Sequence, residues 1–215
     1  MQPRTSQLLG RLSESATIAM SRKARELKAA GRDIISLSLG EPDFDTPDPI
    51  KAAGIRAIEE NHTHYPPVPG FADVREAICA KLERDNGLSY KPEQIVVSTG
   101  AKHSLMNVIL SLVDAGDEVI LPTPFWVSYA DMVNLAGGQV VEVETGIAQD
   151  FKMTADQLRA ALTDRTRVVM LNSPNNPSGS VYTAQEMAAL AEVLDAHPHA
   201  VAISDEIYEY INFTD

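Results

Sequence analysis

The chain has one cysteine, Cys79, in 215 residues. A single thiol excludes an internal disulfide framework and a zinc site built from several cysteines. Cys79 falls on a helical apolar face with Val74, Ile78 and Leu82, so it is expected to be a small core residue. No uninterrupted run of about eighteen apolar residues occurs, which excludes a membrane-spanning helix. The opening stretch MQPRTSQLLGRLSESATIAM lacks an apolar segment followed by a small-residue cleavage site, so a cytoplasmic address is expected. Basic residues are scarce: 18 Lys and Arg stand against 30 Asp and Glu, a formal charge of −12. That deficit argues against nucleic acid or an anionic membrane surface as the main partner, because both require clustered cations. No metal is expected.

What is present describes a packed globular protein. Apolar residues make up 44% and charged residues 22%, and the length is sufficient for a sizeable core. From about residue 33 two kinds of segment alternate. Six β-branched runs are predicted strands: Ile34–Leu39, Gln94–Ser98, Glu118–Leu121, Gln139–Glu144, Val168–Leu171 and Ala200–Ser204. Helical patterns lie between most of them. In Lys102–Val113 the residues Leu105, Met106, Ile109, Leu110 and Val113 fall on one face at helical spacing. Thr154-Ala-Asp-Gln157 and Thr183-Ala-Gln-Glu186 fit the capping box, and helices are expected to start near 155 and 184. Ser21–Ala30 is a further helix former, whereas Met1–Ser15 is read as an arm. The pattern implies a mainly parallel sheet covered on both faces, with the loops after the strands gathered on one edge.

Four stretches at that edge could carry chemistry. Gly100-Ala101-Lys102 opens a helix after a predicted strand, where unpaired N–H groups and the helix dipole suit a phosphate. Trp126, the only tryptophan, follows the strand EVIL and could stack on a flat ring. Asn176 precedes Pro177 in NSPNNPSG, so its backbone is biased away from helix and its amide is available as a donor. Asp205 ends an apolar run, where a carboxylate is costly unless paired, and Tyr208 follows within reach of the same ligand. A cationic partner would offset the cost of burying Asp205, and the others have plainer alternatives: a simple turn, a core or interface tryptophan, a loop. Their coincidence fits a flat, phosphorylated, heteroaromatic cofactor whose ring nitrogen stays protonated.

The segments SLGEPDFDTP, HYPPVPG, STGAKHSL, AGDEVILPTPFWVSY, NSPNNPSG and SDEIYE, in this order and spacing, resemble the class I/II aminotransferases of fold type I. The bacterial aspartate aminotransferase branch is the nearest resemblance, and it extends from about Thr17 to Asp215. It implies a three-layer αβα large domain with a mainly parallel sheet, incomplete at its C-terminus, over residues 46–215. Residues 1–45 would form an N-terminal arm and part of a small domain. It implies pyridoxal phosphate as cofactor and transamination between L-aspartate and 2-oxoglutarate. Aromatic, prephenate or alanine specificity, a lyase, or a non-catalytic regulatory module on the same fold remain open.

Residue roles follow from the same resemblance. Gly40 would offer its N–H to the substrate carboxylate. Tyr65 would reach across a homodimer interface to the partner's cofactor phosphate. Gly100, Ala101 and Lys102 would cradle the phosphate; the family often has Gly-Gly-Lys there, and Gly-Ala-Lys keeps the same N–H groups. Trp126 would stack on the ring and, with Asn176, also line the substrate site. Asn176 and Tyr208 would bind the cofactor's phenolic oxygen, and Asp205 would pair with its ring nitrogen. Asp205 and Tyr208 are the catalytic candidates within the chain. The family's Schiff-base lysine is expected beyond SDEIYE and matches no lysine present. The 215 residues are therefore expected to be roughly the N-terminal half of such an enzyme, inactive alone.

Overall fold

Runs such as EVIL and VVML put β-branched and leucine side chains on both faces of a strand, and strands of that kind are stable only when covered from both sides. The computed structural model, which describes residues 6–12, 16–37, 40–41, 44–211 and 213, provides that cover. The chain divides into two compact units, Met20–Ser104 and Leu105–Asp215 together with Met1–Ala19.

In the larger unit, β1 (Glu118–Pro122), β2 (Gln139–Val143), β3 (Thr166–Asn172) and β4 (Val201–Asp205) form one sheet in the order β2-β1-β3-β4, with every pair parallel. Alternate residues of the central strands enter opposite cores. Val119, Leu121, Val168 and Met170 pack with Leu105 and Ile109 of α4 (Ala101–Leu112) and with Met132 and Val133 of α5 (Ser128–Ala136). Ile120, Val169 and Leu171 pack with Leu158 of α6 (Ala155–Ala161) and with Leu190 and Val193 of α7 (Ala184–Asp195). The result is three layers, helices on both faces of a parallel sheet.

Local chemistry sets the helix ends. Thr154 Oγ1 accepts from Gln157 N–H at 3.2 Å while Gln157 Oε1 accepts from Thr154 N–H at 2.9 Å, and Thr183 and Glu186 make the same reciprocal pair at 3.2 and 2.7 Å. Each cap satisfies two otherwise orphaned donors. Gly137 closes α5 at φ +94°, a left-handed turn that favours glycine. Gly138 is required for a second reason: a Cβ there would stand 2.5 Å from Val113 Cγ1. At the start of β1 the buried Glu118 is satisfied by Thr163 Oγ1 at 2.6 Å and by Arg165.

The smaller unit contains most of α1 (Ala16–Ala29), with α2 (Asp48–Glu59) and α3 (Ala72–Asn86), the last ended by Gly87 at φ +66°. Neither α2 nor α3 buries a residue completely; Cys79, expected in a core, is half-buried. Two expected strands are not strands. Residues 34–37 have no regular structure, and 38–39 lie outside the described residues. Residues 95–98 are also irregular: Ile95 is extended at φ −106°, ψ 130°, but the segment has no ladder partner among the described residues. Among the described residues its long-range backbone hydrogen bond is Val97 N–H to Pro69 O at 3.0 Å. β-Propensity produces an extended chain, and only a neighbouring strand makes it a sheet. Of the expected N-terminal arm, Leu9–Arg11 form a short 3₁₀ turn, and residues 1–5 and 13–15 lie outside the described residues.

Candidate active site

Because all four strands are parallel, the loops that leave β1, β3 and β4 share one edge of the sheet. Asp205 is the last residue of β4, one position beyond the predicted end of that strand, and is buried. Its Oδ2 accepts from the Tyr129 hydroxyl at 2.7 Å and its Oδ1 from Ile207 N–H at 3.2 Å. A cation was the expected partner, but among the described residues Asp205 forms no ion pair, and its side chain is held by neutral donors. A buried carboxylate with only neutral donors, placed at a sheet edge, suits a ligand that brings its own positive charge.

The loop after β3 meets the loop after β4. Asn176 Nδ2 donates to the Tyr208 hydroxyl at 2.9 Å, which leaves the Tyr208 proton to be donated onward. Asn172, the last residue of β3, ties the two loops together. Its Nδ2 donates to the Asp205 carbonyl at 2.8 Å, and its Oδ1 accepts from Asn176 N–H at 2.7 Å. The NSPNNPSG turn is braced internally by Ser178 N–H and Oγ donating to Asn175 Oδ1 at 3.1 and 2.8 Å, and by Gly179 at φ +75°.

The loop after β1 supplies Trp126, half-buried, with its ring edge-to-face with Tyr129 at 5.5 Å between centroids and 86° between planes. Burial first, and then the hydrogen bond and charge of Asp205, push the Tyr129 phenol well above its ordinary value, so Tyr129 remains a proton donor. Asp205, Asn176, Tyr208 and Trp126 thus all belong to strand-end loops of the larger unit. In the smaller unit Gly100 adopts φ +84° and its carbonyl accepts from His103 and Ser104 N–H, so it caps α4 and leaves Ala101 and Lys102 as the first residues of that helix. Tyr65 is fully exposed, and Gly40 is exposed.

Two residues of the array had not been singled out from sequence. Tyr129 lies three positions after Trp126, the spacing that places side chains on one helical face. Asn172 is a polar residue at the end of a buried strand, the same signal that marked Asp205.

The aminotransferase class I and II family model matches residues 32–215. The aspartate/prephenate aminotransferase of Cereibacter sphaeroides is 53% identical over 210 residues, covering 98% of this chain and 52% of its own length. The aspartate aminotransferase of Geobacillus stearothermophilus is 51% identical over 203 residues, covering 94% of this chain and 51% of its own. Among solved structures, the Thermus thermophilus aspartate aminotransferase with maleate superposes with a TM-score of 0.95 at 42% identity, covering 100% of this chain and 56% of that one. The chain spans about half the length of the curated relatives it matches. On this evidence the chain belongs to the class I and II aminotransferases.

Proposed function

We propose that this chain is the cofactor-binding part of an aminotransferase that moves the amino group between L-aspartate and 2-oxoglutarate, working as a cytoplasmic homodimer. The family depends on pyridoxal phosphate, which supplies an electron-withdrawing ring that delocalises the charge left when an amino acid loses its α-proton. The observation that carries the reading is Asp205: a buried carboxylate at the sheet edge that forms no ion pair among the described residues. Its negative charge favours a protonated ring nitrogen facing it. Relatives named aspartate or aspartate/prephenate aminotransferase support the substrate class.

The remaining assignments belong to the same proposal. Asn176 and Tyr208 would both donate to the cofactor's phenolic oxygen, a reading supported by the 2.9 Å hydrogen bond that holds them together. Trp126 presents an aromatic face for stacking and lines the substrate side together with Asn176. Gly100, Ala101 and Lys102 would hold the cofactor's phosphate on the backbone N–H groups at the start of α4, a reading supported by their place at that helix's N-terminus. Tyr65, fully exposed, is available to a partner subunit's phosphate, and Gly40 offers its N–H to a substrate carboxylate. Residues 1–45 are assigned to an arm and a small-domain segment, residues 46–215 to the large domain. The lysine that links the cofactor is assigned outside the 215 residues, so this segment alone is expected not to turn over.

In the full-length protein, Asp205→Ala should lower kcat with aspartate by at least about 10²-fold, the scale of losing one preorganised electrostatic contact. A variant with near-normal turnover would remove Asp205 from the mechanism. Single-turnover absorbance with aspartate, the amino form of prephenate and alanine tests the donor: faster amino transfer from either of the last two than from aspartate would overturn the substrate assignment.

A further inference from the structure

We propose that Tyr129 is a positioning residue for Asp205: its hydroxyl locks the carboxylate in the orientation that faces the cofactor's ring nitrogen. This rests on the reading of Asp205 given above. Tyr129 is 3% exposed and lies in the core formed with α4, α5, β1 and β3. It shares that core with aliphatic residues such as Leu105, Ile109, Leu121 and Val133, and its ring stands edge-to-face with Trp126. Its only polar atom stands 2.7 Å from Asp205 Oδ2, across 76 residues of sequence.

The direction of that bond is fixed. A carboxylate only accepts, and the buried phenol keeps its proton, so Tyr129 donates. Ile207 N–H donates to the other oxygen at 3.2 Å. Each carboxylate oxygen is therefore held by one donor, one from α5 and one from the chain that follows β4. Two fixed donors on two oxygens define the plane of the group, and each oxygen retains a lone pair for a ligand. A phenylalanine at 129 would fill the same core volume without this hold. The edge contact with Trp126 joins the ring stacker to the same array, so Trp126, Tyr129 and Asp205 are held in one rigid series.

The test is a double-mutant cycle in the full-length protein, freed of cofactor and titrated with pyridoxal phosphate by fluorescence quenching. Tyr129→Phe should weaken binding by about tenfold, the scale of one hydrogen bond to a charged group. Asp205→Asn should also weaken it, and adding Tyr129→Phe to Asp205→Asn should change it by less than about twofold. Thermal midpoints within a few degrees of the parent confirm that the variants are folded. If Asp205→Asn weakens binding and Tyr129→Phe does not, the role of Tyr129 is overturned and the reading of Asp205 stands. If Tyr129→Phe weakens binding equally in both backgrounds, Tyr129 only packs the core, and the proposal is again overturned. If Asp205→Asn leaves binding unchanged, the reading of Asp205 falls and this proposal falls with it.

Discussion

Asn172 offers a sharp test of how the strand-end loops are held. It is 6% exposed and makes two hydrogen bonds, 2.8 Å to the Asp205 carbonyl and 2.7 Å from Asn176 N–H. Asn172→Ala removes both and leaves two backbone groups without partners. A buried backbone group left unpaired costs about 1–3 kcal/mol. Asn176 is only half-buried, so water recovers part of its share, and the sum is about 2–4 kcal/mol. Asn172→Leu keeps the volume without the hydrogen bonds and should lose nearly as much, which separates bonding from packing. Asn172→Asp retains an acceptor for Asn176 N–H but places a carboxylate oxygen against the Asp205 carbonyl, and should be at least as damaging. Urea unfolding midpoints at an unchanged slope measure all three. An alanine or leucine variant that loses less than about 1 kcal/mol would refute the claim that this side chain ties the two loops together.

Three further outcomes are expected. Gly138→Ala sets a methyl group 2.5 Å from Val113 Cγ1 and 3.1 Å from Val133 Cγ1, and should cost about 1–3 kcal/mol, partly recovered by Val113→Ala, as read from thermal midpoints. The Thr183 backbone N–H, followed by Lys152, holds the Glu186 carboxyl below its ordinary value. A lowered folded value stabilises the protein above the ordinary value of 4.5 and is lost as pH falls below it, so Glu186→Gln should flatten the decline in stability on acidification. The Tyr129 phenol is raised, so its contribution is complete below the ordinary value of 10.0 and is lost as pH rises above it; Tyr129→Phe should leave the native phenolate absorbance step below pH 10.0 unchanged while reducing the loss of stability above it.

The legible parts of the molecule are those whose stability is decided locally or by two-sided burial. The capping boxes at Thr154 and Thr183 depend on residues three apart, and both form as expected. The runs EVIL and VVML read as buried parallel strands because both faces are apolar, and β1 and β3 are the two central strands of the sheet. Residues 34–37 and 95–98 are similarly rich in aliphatic residues, but a strand is defined by its neighbour, and no residue within the segment encodes whether a neighbour is there.

The site divides along the same line. Asp205, Asn176 and Tyr208 could be found because each follows a recognisable strand, and parallel strands bring such loops to one edge. Tyr129 escaped notice because all but one of its heavy side-chain atoms are hydrocarbon and read as core, while its one polar side-chain atom is satisfied 76 residues away. Asn172 was obscured because it opens the NSPNNPSG stretch and reads as the first residue of a loop, whereas it is the last residue of β3. The argument that marked Asp205 nevertheless applies to all three: a polar atom buried at a strand's end or a helix's first turn must find a partner. Here each answers that need for another, since Tyr129 donates to the Asp205 carboxylate and Asn172 to the Asp205 carbonyl. Burial cost, applied to every polar residue near the carboxyl ends of the strands instead of to the charged one alone, would have assembled the array from sequence as a set of mutually dependent candidates.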